Sequence, residues 1–316
     1  MIRCVGLFVT SLVIASSAAS AKAAGDARHH AIVERHGGWM ARDANPNHAW
    51  MYVASGTESI IAIYDLEHRF GPHKIGEITQ GLTNPSGLAV DAKGALYATN
   101  YDNGNAGGGV SIYPPGATSP SLTLSQGLSV PLDVAVDDIG NVWVVNRGSA
   151  PSIVVYPPGQ TTPSQVITSS LIQVPTQIIF DSAQDVYFGD NLMGVSEIPA
   201  GSSVPVSLNL QKLTATSGIA LDPTNGDLFV STDGPQKILV YPAGQTQPSR
   251  TLKLSATACF LANGVIRNRE FVFVPDCGST GNIWVFNSNK NSPLETWNLP
   301  AAGGACCIAF KPAGVP

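Results

Sequence analysis

The sequence predicts an all-β fold, a six-bladed β-propeller closed by pairing of the C-terminal strand with the N-terminal blade. An aromatic residue recurs near the end of a short apolar run, with gaps of 45, 46, 44, 42 and 44 residues between its copies. A period in that range is typical of propellers, which have one four-stranded sheet per repeat. The composition agrees, because 32 Gly and 23 Pro suit short strands joined by turns. The recurring aromatic residues are Tyr52, Tyr97, Trp143, Tyr187, Phe229 and Phe273.

The first residues have the pattern of a secretory signal peptide. Arg3 precedes an apolar stretch from Val5 to Ala15, and small residues with Ala-x-Ala spacing follow. We therefore expect residues 1–24 to be a signal peptide and the protein to be secreted or periplasmic. Neither this stretch nor any later one approaches the roughly 20 apolar residues of a membrane helix, so we expect no membrane span.

The charge of the chain argues against nucleic acid as a partner. The formal net charge is −5, and removal of Arg3, or of Arg3 and Lys22, makes it −6 or −7. A mildly acidic chain without a Lys/Arg cluster lacks the basic surface that binding to a phosphate backbone requires.

Residues 25–48 fall outside the repeat pattern, and we expect a flexible lead-in to a propeller at 49–316. Four histidines lie in this segment, and a metal site is the alternative interpretation. Their loose spacing, without a cysteine or a strand to hold them, is unlike that of zinc ligands. All six histidines of the chain precede residue 74, so the later blades offer no Ser-His-Asp or Cys-His arrangement.

Each repeat starts with two strands joined by a tight turn. An aspartate at the start of the turn can accept local backbone N–H bonds, and a later glycine can take the positive φ that such turns need. A third strand then ends at Pro-Pro-Gly or Pro-Ala-Gly, and a weakly alternating fourth strand is typical of an outer edge. The aspartates that we interpret as turn residues are Asp91, Asp137, Asp181 and Asp222.

The last blade is predicted to combine strands from both ends of the chain. Residues 50–79 supply three strands, and Cys307–Phe310, which matches Gly87–Val90, supplies the innermost one. Such closure leaves no open edge between the first and last blades. The complete blades are predicted at about 85–124, 131–167, 175–210, 216–252 and 260–299.

The best-formed repeat resembles the NHL repeat and the related gluconolactonase-like propellers. Residues 131–146 read Pro-Leu-Asp-Val-Ala-Val-Asp-Asp-Ile-Gly-Asn-Val-Trp-Val-Val-Asn, and Ile153–Tyr156 forms the next strand. The resemblance covers residues 50–311 and implies the propeller fold. The Asp-x-x-Asn-His-Arg stretch common after the second strand of NHL repeats is replaced here by Asn146-Arg147-Gly148.

Function in a propeller usually lies on the face where the loops between blades emerge, and one oxygen-bearing residue per blade is predicted at that face. These residues stand three positions after each aromatic. Carboxylate and amide oxygens suit calcium or magnesium, which the resemblance to gluconolactonase-like propellers also implies. The alternative is that they cap strand ends and bind water. The six residues are Ser55, Asn100, Asn146, Asp190, Thr232 and Asp276, and Asp133 and Gln177 join them as ligand or metal candidates.

Four cysteines remain after signal removal, which in an exported chain predicts disulfides. Cys259 and Cys277 are the leading pair, with Cys306 or Cys307 as the competing partner, and a zinc site is the less favoured alternative.

The predicted function is recognition of an unknown protein, glycan or small molecule through the loop face of a rigid scaffold. The alternative is a metal-dependent hydrolase or lyase of the gluconolactonase-like kind, with Asp133, Asp190 or Asp276 as base. A structural surface protein with a conspicuous apolar patch is a third possibility.

Overall fold

The computed structural model describes residues 38–68, 71–101, 108–213, 215–232, 237–254, 260–266, 269–276, 281–287, 290–299 and 305–312. They belong to the second of two units of the chain, Arg35–Pro316. Within these ranges no helix is long and apolar enough to cross a membrane. The strands, in chain order, are β1 (Trp39–Met40), β2 (Trp50–Ser55), β3 (Ile60–Asp65), β4 (His73–Ile78), β5 (Pro85–Val90), β6 (Leu96–Asn100), β7 (Gly109–Tyr113), β8 (Leu122–Leu124), β9 (Pro131–Val136), β10 (Val142–Asn146), β11 (Ser152–Tyr156), β12 (Gln165–Ile167), β13 (Pro175–Phe180), β14 (Val186–Asp190), β15 (Gly194–Ile198), β16 (Val206–Ser207), β17 (Gly218–Leu221), β18 (Leu228–Thr232), β19 (Lys237–Tyr241), β20 (Arg250–Lys253), β21 (Ala262–Ile266), β22 (Arg269–Pro275), β23 (Asn282–Phe286), β24 (Glu295–Asn298) and β25 (Ala305–Lys311).

These strands form six antiparallel sheets, which confirms the predicted six-bladed propeller. Five sheets are consecutive four-stranded meanders, and the sixth has the order β1-β4-β3-β2-β25. We number the blades from the N terminus: blade 1 is the sheet that contains β25, and blades 2 to 6 are β5–β8, β9–β12, β13–β16, β17–β20 and β21–β24. The first strand of each meander lies innermost, and in blade 1 this place belongs to β25.

Blade 1 is closed by the C terminus, as predicted. β25 pairs with β2 from Trp50↔Lys311 to Ala54↔Cys307. Lys311 is fully buried, and its Nζ donates a hydrogen bond of 2.6 Å to Pro46 O. Strands from the N-terminal and C-terminal parts of the described chain therefore meet in one sheet.

The last part of the segment predicted as a flexible lead-in contributes a strand. β1 adds a fifth strand to blade 1, where Trp39 pairs with Glu77 and Met40 with Gly76. Trp50 Nε1 also donates a hydrogen bond of 3.0 Å to Asn45 O. The outer edge of β4 offers unpaired backbone groups, and β1 satisfies some of them. Residues 25–37 lie outside the described residues.

The turn aspartates behave as predicted. Asp91 Oδ1 accepts hydrogen bonds from the backbone N–H groups of Lys93 and Ala95, at 2.8 and 2.9 Å. Gly94 has a φ of 84°, which a residue with a Cβ rarely adopts. Blade 4 departs from this pattern, because Gln184 takes the glycine position at a φ of 67°.

The hydrophobic core lies between neighbouring blades. Between blades 3 and 4, for example, Val145, Val155 and Ile167 pack against Ile178 and Phe188. Each blade therefore depends on the next, and the six innermost strands surround a central channel with a cavity of about 310 Å³.

Candidate functional site

The loop face is the end of the ring at which the second strand of each blade finishes and the loop from the preceding blade arrives. Asn100 and Asn146 occupy this place in blades 2 and 3. The side-chain oxygen of Asn100 accepts a hydrogen bond of 2.8 Å from Thr83 N. That of Asn146 accepts hydrogen bonds of 2.9 and 3.0 Å from Ser129 N and Val130 N. Each amide therefore holds the loop that enters its blade.

Asp190 has the same position in blade 4 and makes more bonds. Its side chain is fully buried, and Oδ2 accepts hydrogen bonds from Gln173 N and Val174 N, both at 2.7 Å. Oδ1 accepts hydrogen bonds from Leu192 N and Met193 N, at 2.9 and 3.0 Å. One carboxylate therefore fixes both the entering loop and the loop between β14 and β15.

The other three predicted ring residues are also buried. Ser55 Oγ accepts a hydrogen bond of 3.4 Å from Glu58 N. Thr232 ends β18, and Asp276 directly follows β22. Residues 233–236 and 277–280, which follow them, lie outside the described residues.

Asp133 and Gln177 lie in the wall of the central channel. Among the described residues around this cavity, they carry the two strongly polar side chains, and most of the others are aliphatic or aromatic. Asp133 Oδ2 accepts a hydrogen bond of 3.0 Å from Ile178 N of blade 4. Gln177 bonds to Ile219 N at 2.8 Å and to Leu261 O at 2.7 Å, so it connects blade 4 with blades 5 and 6.

The apolar channel changes the acidity of Asp133. The side chain is 4% exposed, and burial raises its pKa from 3.8 to about 8, while hydrogen bonds from Ile178 N and Val134 N oppose the shift. Desolvation disfavours the charged form of a carboxyl group. Asp133 is therefore largely neutral at pH 7.

Five of the predicted ligand residues have their hydrogen-bond partners in different parts of the fold. Asn100, Asn146 and Asp190 bond to loop backbone, and Asp133 and Gln177 bond to innermost strands. In the described part of the chain, no three His, Cys, Asp or Glu side chains form a group that could hold a metal ion. The observed bonds are those of the strand-capping alternative, and calcium or magnesium stays a prediction from the sequence.

The loop fixed by Asp190 presents two large apolar side chains to solvent. Leu192 is 64% exposed and Met193 40% exposed, and both lie at the tip between β14 and β15. The sequence-based prediction for the loop face named polar residues only and did not include this pair. The sequence signal that could have identified the pair is two large apolar residues in a loop directly after an aspartate at the end of a strand.

The cysteines of the predicted disulfide are only partly described by the structure. Cys259 and Cys277 lie outside the described residues, and Cys307 is buried on β25 beside the channel. The pairing stays a prediction.

Comparisons with known proteins support the fold. No protein-family model matches the chain, and no curated protein matches it. A chain from the crystal structure of a nidogen/laminin complex is similar, with a TM-score of 0.69, 16% identity, and coverage of 84% of this chain and 99% of that one. A protein of unknown function from Bacteroides caccae has a TM-score of 0.59 and 12% identity, over 83% of this chain and 98% of that one. Both likenesses concern the propeller fold alone.

Proposed function

We propose that this chain is an exported, NHL-like propeller that binds a protein partner through its loop face, with Leu192 and Met193 as apolar anchors. The observation that carries the proposal is the exposed Leu-Met pair on a loop whose backbone is held by a buried carboxylate. Exposed apolar side chains contribute hydrophobic free energy to binding when a partner covers them. A preformed loop also loses less conformational entropy when it binds.

Three further observations support a binding role. The nidogen/laminin complex contains a chain of similar fold, so this architecture occurs within a protein complex. The side-chain oxygens of Asn100, Asn146 and Asp190 accept backbone hydrogen bonds, so these three residues hold the loops that a partner would contact. The N-terminal pattern of residues 1–24 is the basis for proposing export.

A comparison of three variants tests this proposal. The double variant Leu192→Ser/Met193→Ser removes the apolar tip and leaves Asp190 in place. Ile139→Ser is the matched control, because Ile139 is 73% exposed on a turn at the opposite end of the blades. Wild-type and Ile139→Ser proteins should recover the same partner from an extract of the producing cells and their medium in quantitative affinity purification.

The double variant should recover at least about tenfold less of that partner, which corresponds to about 1.4 kcal/mol. Unchanged thermal melting of the double variant would show that the fold is intact. Equal recovery by all three proteins would rule out the Leu-Met tip as the binding site.

A further inference from the structure

Blade 4 carries a carboxylate at a position that is aliphatic in the other five blades. The position is on the third strand, opposite the recurring aromatic residue, and in blade 4 it is Glu197, opposite Tyr187. A charged residue there gives up the hydrophobic free energy that an aliphatic residue would contribute. The corresponding residues elsewhere are Ile63, Ile112, Val155, Val240 and Val285.

Glu197 lies in the wall of an apolar groove between blades 4 and 5. The cavity in this groove has a volume of about 510 Å³, against about 250 Å³ between blades 2 and 3 and about 400 Å³ between blades 3 and 4. It lies towards the end of the molecule opposite the loop face, beside the turn of residues 181–185. Its apolar walls are formed by Leu208, Leu210, Leu221 and Leu228.

The surroundings of the aromatic residue are also different in blade 4. In blade 2, Tyr97 Oη donates a hydrogen bond of 3.1 Å to the turn residue Asp91. In blade 4, burial, and then the charges of Glu197 and Asp181, raise the pKa of the Tyr187 hydroxyl to about 12. The turn residues Asp181 and Asp222 accept hydrogen bonds at Oδ1 from their own turns, and both carboxylates lie in the wall of the groove with Glu197.

The charged side chains in the described wall of the groove are all carboxylates. Asp181, Glu197 and Asp222 line the cavity, and no Lys, Arg or His does so among the described residues. Burial, and then the charges of Asp185 and Asp181, raise the pKa of Glu197 above its ordinary value. Such crowding is relieved when a positive charge enters.

We propose that this groove is the docking site for a lysine or arginine side chain on an extended segment of a partner protein, with apolar residues flanking the basic one. The aliphatic stem of the side chain would pack against Leu208 and Leu210, and its charged end would meet the carboxylates of Asp181 and Glu197. Long basic side chains commonly bury their stems in this way while the charged end is paired.

An extended protein segment fits the mouth of the groove better than a free polyamine does. The outer strand β16 is only two residues long, and its Val206 pairs with Glu197. Val206 is 54% exposed and Val204, two residues earlier, is 66% exposed. Apolar flanking residues of a partner would cover these valines. The groove is separate from the Leu192–Met193 tip, so this inference goes beyond the proposed function.

Titration of the protein with three probes tests the docking site. The probes are acetyl-Val-Arg-Val-amide, the same peptide with citrulline in place of arginine, and free spermidine, each followed by amide chemical shifts in NMR spectra. We expect the arginine peptide to shift the Val206 and Leu208 signals and to bind at least about tenfold more tightly than the citrulline peptide. Added salt should weaken its binding.

Two variants complete the test. Glu197→Val restores the residue type of the other blades, so it should fold and should lose the preference for arginine over citrulline. Asp138→Asn removes one exposed carboxylate outside the groove and should bind like wild type.

Equal binding of the arginine and citrulline peptides, or an arginine peptide that leaves the groove signals unchanged, would overturn the proposal. Spermidine that binds as tightly as the arginine peptide would overturn the assignment to a protein segment. A Leu192→Ser/Met193→Ser variant should keep this binding. The docking proposal and the loop-face proposal can therefore be contradicted independently of each other.

Discussion

At the scale of single residues, Asp133 shows how the propeller changes the chemistry of a common side chain. From its position in the sequence, Asp133 is a predicted oxygen ligand of a cation. The structure surrounds it with the apolar wall of the channel and gives it a bond from Ile178 N. A carboxyl group in such a place is more stable when neutral.

The pKa of Asp133 makes the stability of the fold depend on pH. Because the pKa is about 8 in the folded state and near 4 in the unfolded chain, the folded state binds the proton more tightly. The stabilisation is complete below about pH 4 and is lost as the pH rises towards 8. We expect wild type to lose up to about 1.4 kcal/mol per pH unit in this range relative to Asp133→Asn, which cannot ionise.

Paired urea unfolding curves of wild type and Asp133→Asn from pH 5 to pH 9 measure this difference. The asparagine can still accept the hydrogen bond from Ile178 N, and pH effects of all other groups cancel between the two proteins. A free-energy difference that stays constant with pH would mean that Asp133 ionises as it does in the unfolded chain.

Residue roles were the least predictable part of this protein. A ligand and a strand cap both require an oxygen at the end of a strand, so the position of Asn146 or Asp190 in the repeat cannot distinguish them. The distinction depends on whether a loop from the preceding blade reaches the side chain, which is a tertiary contact. Asp91 was predictable because its partners lie two and four residues along the chain.

At the scale of elements, β25 was predictable because Cys307–Phe310 repeats a pattern seen in complete blades. β1 was not, because two residues carry no detectable period and their pairing with β4 depends on an edge that exists only after blade 1 folds. Glu197 could have been found by aligning the third strands. The groove beside it could not, because its volume depends on the packing of two blades.

Removal of β25 should unfold blade 1. A chain that ends at residue 304 lacks the partner of β2 and exposes the backbone groups of Trp50–Ser55 as well as the channel. We expect it to lose the cooperative thermal transition, whereas a chain that ends at residue 312 and keeps β25 should melt like wild type. Circular dichroism and tryptophan fluorescence during heating measure this.

A synthetic peptide of residues 303–312, added during refolding, should restore the transition of the shortened chain. A chain ending at residue 304 that melts cooperatively at the wild-type temperature would contradict the role assigned to β25.

At the scale of the whole molecule, the ring is held at its junction by a hydrogen-bonded ladder within blade 1, whereas the other joints between blades depend on side-chain packing. The joint between blades 3 and 4 contains the Ile178 and Phe188 core, the bond from Ile178 N to Asp133, and an edge-on contact of Trp143 with Phe180 at 5.8 Å. Opening blade 1 requires breaking the full β2–β25 pairing. The location of the chain ends should therefore determine how easily the ring opens.

A circular permutant separates the location of the ends from the content of the ring. The permutant begins at Ser169 and ends at Thr168, between blades 3 and 4, and a Gly-Ser linker joins Pro316 to Gly38. Every strand keeps its partners, but the open joint is now held by side-chain contacts, including the bond from Ile178 N to Asp133, and not by a β-ladder. We expect native circular dichroism, a lower urea midpoint and faster unfolding, with an unchanged m-value because the same surface is exposed on unfolding. An equal midpoint and an equal unfolding rate would show that closure within blade 1 adds no more stability than an ordinary joint between blades.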